Sequence, residues 1–248
     1  MPPSPSSAEF LRYLNEIGWS ELRPDAARSA SEPEPVAVRP APAATKTALA
    51  APTVTRPAAD AGVPATLETL AAQAAACRAC ALCETRNKVV FGTGNPKAEL
   101  MFVGEAPGAE EDRRGLPFVG AAGEKLNQII AAIGFSRDEV YIANVVKCRP
   151  PDNRNPQPAE VEACRHFLAQ QIDLVRPKVM VALGKVAAQS LLGSNDAVTR
   201  MRGHWWEVRG VPMRVTYHPA ALLRDSSLRK PTWEDMQIVR DRLRPPVT

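Results

Sequence analysis

No apolar run in the 248 residues approaches the roughly 18–20 needed to cross a membrane as a helix. The N-terminus lacks the basic start and apolar centre of a signal peptide, and Glu9, Glu16 and Glu21 occupy the stretch where that centre would lie. No internal repeat is visible, and cysteine is scarce, at five residues. These absences argue against helical membrane proteins, secreted proteins and solenoids, and they set the expectation of a cytoplasmic protein with no membrane partner. In that compartment clustered cysteines are more often metal ligands or redox groups than disulfides.

What is present fits a globular chain. Hydrophobic residues make up 45% and charged residues 23%, the balance of a soluble domain. The length allows one core of ordinary size with an appendage, expected to act as a monomer. The formal charge of +4 is unevenly spread: residues 1–76 hold 6 Lys and Arg against 8 Asp and Glu, and the remainder holds 25 against 19. A mildly basic body suits an anionic partner such as nucleic acid, although many cytosolic enzymes share that balance.

Eleven of the 24 prolines precede residue 65, amid Ala, Ser and Thr. The stretch "SEPEPVAVRPAPAATKTALAAPTVTRPAADAGVP" offers almost nothing to bury and is expected to be a disordered linker. Ahead of it, "AEFLRYLNEIGW" places Phe10, Leu11, Leu14 and Ile17 near one helical face. That pattern suits a short helix that binds a protein partner, or one that packs loosely on its own domain. Residues 1–66 are therefore expected to form a helix and tether, and 67–245 a folded domain.

Within the domain, strands are expected at 98–105, 140–147 and 178–184, with a hairpin over 204–218 whose second arm is a core strand. Helices are expected at 120–135, 158–175, 185–192 and 232–243. Strand and helix alternate, which predicts an α/β fold with a central, mostly parallel, four-stranded sheet flanked by helices. Ligands bind such sheets outside the carboxyl ends of the strands. Glu105, Asn144 and His218 all fall at that edge. Singly, each reads as a helix-start charge, a turn residue and a satisfied core histidine; their coincidence at one edge predicts a shared pocket.

The stretch "CRACALC" holds Cys77, Cys80 and Cys83; Cys148 follows the second strand and Cys164 lies in the next helix. Four thiolates from two segments suit a structural zinc or a [4Fe–4S] cluster. Zinc pairs more often come as two short knuckles, so a second pair spread over a loop and a helix favours iron–sulfur without excluding zinc.

The segments "CRACALCETRNKVVFGTGNPKAELMFVGEAPGAEEDRRGLPFVGAAG", "VYIANVVKCRPPDNRNPQPAEVEAC", "RPKVMVALGKVAAQSLLG" and "VTYHPAALLR" resemble, in order, the family 4 uracil-DNA glycosylases, the iron–sulfur type of bacteria and archaea. The resemblance covers about residues 70–243 and does not reach the tail. It implies a uracil-DNA glycosylase-like fold, a uracil-containing DNA substrate in single or double strands, and release of free uracil in base excision repair. By the same resemblance Cys77, Cys80, Cys148 and Cys164 are the [4Fe–4S] ligands and Cys83 is a spare, packed thiol, with Cys80 and Cys83 as the alternative first pair. Asn144 matches the base-reading asparagine, Phe118 the ring that stacks on the base, and Glu111 the residue near ring position 5. His218 matches the donor to uracil O2, and Glu105 is the candidate for positioning water. Ala106 stands where better-known relatives carry an aspartate, which weakens the case for strong general-base catalysis. Leu222 or Leu223 would fill the gap left by a flipped base, with Arg224 near phosphate and the basic residues around 147–154 along the DNA backbone.

A related type binds DNA covalently through a histidine in a basic insert after the second strand; "CRPPDNRNPQP" has none, so turnover is expected. Two rival classes remain: a non-catalytic iron–sulfur or zinc module that binds DNA as a polymerase or repair accessory, and an electron carrier or redox sensor. Mere DNA binding needs no buried Glu, Asn and His, and only release of free uracil separates enzyme from carrier.

Overall fold

In a computed structural model, residues 66–244 are described; the helix and linker expected before them lie outside the described residues. Thr66 opens the fold with a capping box, its hydroxyl accepting from the Thr69 N–H and the Thr69 hydroxyl accepting from the Thr66 N–H. Helix α1 (Leu67–Ala76) follows and buries Leu70 and Ala74, one helical turn apart. After the short α2 (Leu82–Thr85) come β1 (Thr93–Gly94), β2 (Leu100–Gly104), α3 (Ala109–Arg114), α4 (Ala121–Ala132), β3 (Tyr141–Asn144) and α5 (Pro158–Val175), of which β2, α4, β3 and α5 fall where they were expected. Then come β4 (Val179–Leu183), α6 (Lys185–Leu192), α7 (Val198–Met201), β5 (Trp205–Val208), β6 (Val211–Thr216), α8 (Pro219–Arg224) and α9 (Arg229–Leu243).

The sheet order is β1-β3-β2-β4-β6-β5. The four central strands are parallel, and each edge strand pairs antiparallel with its neighbour. The sheet thus has six strands where four were expected. The two-residue β1 has no apolar run to announce it, and it forms because Thr93 and Gly94 pair with Ile142 and Tyr141. The hairpin turns on Arg209 and Gly210, both at positive φ, which matches the handed twist of a two-residue loop.

Alternation along β2 divides two cores. Met101 and Val103 face the layer of Leu70, Phe167, Leu168 and Ala187, while Leu100 and Phe102 face Leu126, Ile130, Trp233 and Met236. Every residue of β2, β3 and β4 is buried, so these strands read as continuous apolar runs. Helices cover both faces and leave the carboxyl edge of the parallel strands as the open side, where a ligand can approach the strand ends.

Candidate active site at the carboxyl edge of the sheet

A cleft of about 460 Å³ opens at this edge, within the usual range of ligand sites. Glu105 after β2, Asn144 at the end of β3 and His218 after β6 all line it, with Glu111 of α3, Phe118, Ala106 and Arg224. The strand ends therefore bring together the three polar side chains that the sequence places at one edge.

Asn144 is 1% exposed, and its Oδ1 has no hydrogen-bond partner among the described residues. A buried acceptor left unpaired costs about 1–3 kcal/mol, so this oxygen is poised for a donor brought by a ligand. Its position depends on Gly104, its registered neighbour on β2. A Cβ at Gly104 would stand 2.4 Å from Asn144 Oδ1 and 2.6 Å from Phe118 Cζ. Phe118 holds φ at +52°, which is rare for a bulky residue and marks a position fixed by its surroundings. Gly123 in α4 permits this by letting the Phe118 carbonyl approach where any side chain would collide. Arg137 buttresses the same turn, donating from Nη2 to the Pro117 carbonyl at 2.6 Å and from Nη1 to Asn127 Oδ1 at 2.8 Å.

His218 caps α8: its Nδ1 accepts from the Ala220 N–H at 3.1 Å. In the neutral ring the proton then resides on Nε2, which becomes a donor. Burial, reinforced by the Arg224 cation, pulls the imidazole down to about 4, with Glu111 opposing, so the neutral donor persists across ordinary pH. Gly184, at φ +88°, allows His218 its place, since a Cβ there would meet His218 Cβ at 2.8 Å. The rings of Phe118 and His218 lie 5.6 Å apart. Burial raises the carboxyl of Glu105 above its ordinary value. Glu111 Oε1 accepts from the N–H groups of Val119 and Gly120 at 2.9 and 3.0 Å, fastening the Phe118 turn to the start of α4.

Three features differ from expectation or went unforeseen. Leu222 is 1% exposed and packs in the core beneath α8, so it is no wedge; helical spacing turns Leu223 outward, 50% exposed, and Arg224 beside it is also exposed. Lys147 is 1% exposed and cannot reach a DNA backbone. The far wall of the cleft comes instead from Pro150, Asn153, Arg154 and Asn155, with Asp152 and Asn153 both at positive φ. The "DN" pair, tolerant of that conformation, was the available signal.

The five cysteines surround a separate small cavity with Arg86 and Lys147. Among the described residues, no three His, Cys, Asp or Glu side chains close around a single ion. Thiolates from two segments suit a zinc ion or an iron–sulfur cluster alike. Donors also aim at sulfur: Arg86 Nη1 lies 3.0 Å from Cys148 Sγ, and the Lys147 N–H lies 3.4 Å from Cys164 Sγ. Burial pushes the Cys148 thiol up to about 11 and raises that of Cys164, with Cys80 pressing on both and Cys77 on the latter. Soft ligands, directed N–H groups and nearby cations fit an iron–sulfur cluster. The buried Asp112 ties this region to the cleft, accepting from the backbone and side chain of Asn87 and from the Lys88 N–H, one residue from Glu111.

Comparison with known proteins shows the family. The family described as the Uracil DNA glycosylase superfamily matches residues 91–238. A type-4 uracil-DNA glycosylase of Archaeoglobus fulgidus is 45% identical over 172 residues, covering 66% of this chain and 86% of that protein. The type-4 enzymes of Sulfurisphaera tokodaii and Thermotoga maritima are each 46% identical, over 71% and 65% of this chain and 84% and 86% of their own lengths. Among the described residues no helix is long and apolar enough to cross a membrane.

Proposed function

The chain belongs to the uracil-DNA glycosylase superfamily, and to its type-4 group, and from that premise we propose that it flips deoxyuridine out of DNA and hydrolyses its N-glycosidic bond. Free uracil and an abasic site are the products. The observation that carries this reading is the buried, unpaired Asn144 Oδ1 beside the Phe118 ring, in the cleft that His218 also lines.

A target base inside a duplex must rotate into a pocket before its glycosidic bond is reachable. Phe118 offers a ring face for stacking. Asn144 Oδ1 accepts the N3–H of uracil while its amide nitrogen donates to O4. Cytosine presents the reverse pair, an acceptor at N3 and a donor at N4, so the same amide opposes it. A site built for particular hydrogen bonds rejects the wrong partner strongly, because its buried groups are left unmatched. Glu111, clamped by the Val119 and Gly120 amides, holds the wall near ring position 5, where the methyl of thymine must be excluded.

As the bond between C1′ and N1 lengthens, the sugar gains positive charge and uracil leaves as an anion. The Nε2–H of His218 donates to O2 and stabilises that charge. One preorganised donor of this kind supplies about 3–4 kcal/mol. Its neutrality matters: the ring donates without giving up a proton and needs no counter-charge. Glu105, as carboxylate, orients the water that adds to C1′ and offsets the positive sugar; the proton this water sheds passes to bulk water, which also protonates the departing uracil anion. Ala106 supplies no second carboxylate, so the leaving-group side carries much of the rate.

Leu223 enters the space vacated by the flipped base, and Arg224 holds an adjacent phosphate. Cys77, Cys80, Cys148 and Cys164 hold a [4Fe–4S] cluster, which when bound serves as a cross-link between the segment after α1 and the 148–164 loop. That loop forms one wall of the cleft.

The deciding experiment measures free base released from oligonucleotides carrying uracil, cytosine or thymine at one position. Release of uracil alone, in single and double strands and over many turnovers, is the expected result. Tight binding without release would leave only a DNA-binding module.

A further inference from the structure

Lys147 connects two regions that the mechanism above treats separately. It is fully buried, and it does not line the cleft. Its Nζ donates to the backbone carbonyl of Asn144 at 2.7 Å and to Gln171 Oε1. Its own N–H points at Cys164 Sγ, and Cys148 is the next residue. Gln171 is held in turn, donating from Nε2 to the Phe91 carbonyl at 2.9 Å and to Tyr141 Oη at 3.0 Å. Burying an ammonium costs several kcal/mol, and an apolar side chain of similar volume would serve packing alone at least as well. The cation at this place therefore answers a positional demand.

We propose that Lys147 is a positioning residue that couples the cysteine site to the base-reading asparagine. Holding the thiols fixes the backbone of 147 and 148. The ammonium, braced by Gln171, then fixes the carbonyl of Asn144 at the end of β3 and so the direction of its amide. Coupling of this kind is reciprocal: a base seated on Asn144 must in turn steady the cysteine loops. The inference rests on the proposed function, because it needs both an iron–sulfur cluster and a uracil bound at Asn144.

The test follows the loss of the visible iron–sulfur absorbance under a strong iron chelator. The iron-loaded full chain is saturated with one of two single-stranded oligonucleotides, alike except at one position. One carries a hydrolysis-resistant fluorinated deoxyuridine and the other thymidine. When loops reclose faster than the chelator acts, the rate reports the population of opened site. Wild type should lose iron about fivefold or more slowly with the uracil ligand than with thymidine, the lower end of ordinary coupling between sites. Lys147→Met, checked for unchanged iron content before chelation, should lose that difference and should also discriminate less between uracil and cytosine. Equal rates with both ligands in wild type would overturn the coupling, and this arm decides the matter even if the variant fails to fold. An unchanged uracil-specific protection in Lys147→Met would overturn the role of Lys147. If the wild type excises uracil and holds iron yet shows no linkage, only this inference falls; if it holds no iron or releases no uracil, the functional reading falls and takes the inference with it.

Discussion

Gly104 stands opposite Asn144 in the parallel register of β2 and β3, and the hydrogen in place of its side chain is what lets the Asn144 amide and the Phe118 ring approach one strand end. Gly104→Ala would drive a methyl group to 2.4 Å from Asn144 Oδ1. We expect uracil excision to fall about 100-fold or more, since small misplacements of a reacting geometry have such effects. Far-UV circular dichroism should be unchanged. Near-normal excision would remove Gly104 from the site.

Asn144→Asp replaces a donor and an acceptor by a buried carboxylate that cannot donate to O4. Excision of uracil should drop by at least tenfold, and preference over cytosine should relax, because the protonated acid accepts altered pairings. Single-turnover rates on the two bases measure this directly. A normal rate on uracil would show that another group reads the base.

His218 and Glu105 divide the pH profile. His218 stays neutral down to about 4, whereas burial lifts Glu105 above its ordinary value of 4.5. As pH falls, the rate should decline first through protonation of Glu105, with no loss at the ordinary histidine value of 6.5. In Glu105→Gln that acidic limb should vanish. His218→Ala should slow the chemical step about 10²–10³-fold while leaving DNA affinity nearly intact. Stability follows the depressed histidine: its contribution is full above pH 6.5 and is lost as pH falls toward 4, worth up to about 3 kcal/mol. Denaturant midpoints of wild type and His218→Ala at pH 4.5 and 7 check the sign.

Serine at Cys77, Cys80, Cys148 or Cys164 should abolish stoichiometric iron, and Cys83→Ser should preserve it. Metal analysis after anaerobic purification decides; zinc in place of iron would overturn the cluster assignment.

The neighbouring leucines of α8 should behave oppositely. Leu222→Ala removes a core side chain and should cost about 2–5 kcal/mol of stability. Leu223→Ala should leave stability unchanged but weaken excision from duplex DNA more than from single strands, because only the duplex has a stack to fill.

What the sequence displayed follows its physics. β2 and β4 announced themselves because strands buried on both faces must be apolar throughout, and α5 because Pro158 and the Gln157–Glu160 box mark its start. The convergence of Glu105, Asn144 and His218 was legible because strand ends in a parallel sheet share one edge. β1 was not, since two residues carry no period and pairing alone defines them. Leu222 and Leu223 are alike in composition, and only the rotation of α8 separates them. Lys147 sits in "VVKCR", which reads as a basic surface; its burial is decided by Gln171, 24 residues away. Arg137 escaped notice because its partners at Pro117 and Asn127 come from a different turn and helix.

Because β6 and His218 come late in the chain while Cys164 lies before β4, the order of synthesis separates the two sites in time. Cys164, the last thiol of the ring, is made before β4, whereas His218 follows the hairpin. At about 5–20 residues per second a ribosome leaves roughly 3–11 seconds between them. During that interval the nascent chain can gather its thiols while one flank of β4 still lacks its neighbour. An unpaired apolar strand edge of this kind is a template for pairing with another chain. On the proposed cluster assignment, closure of the thiols would fasten α1, α5 and β3 together before that edge is capped.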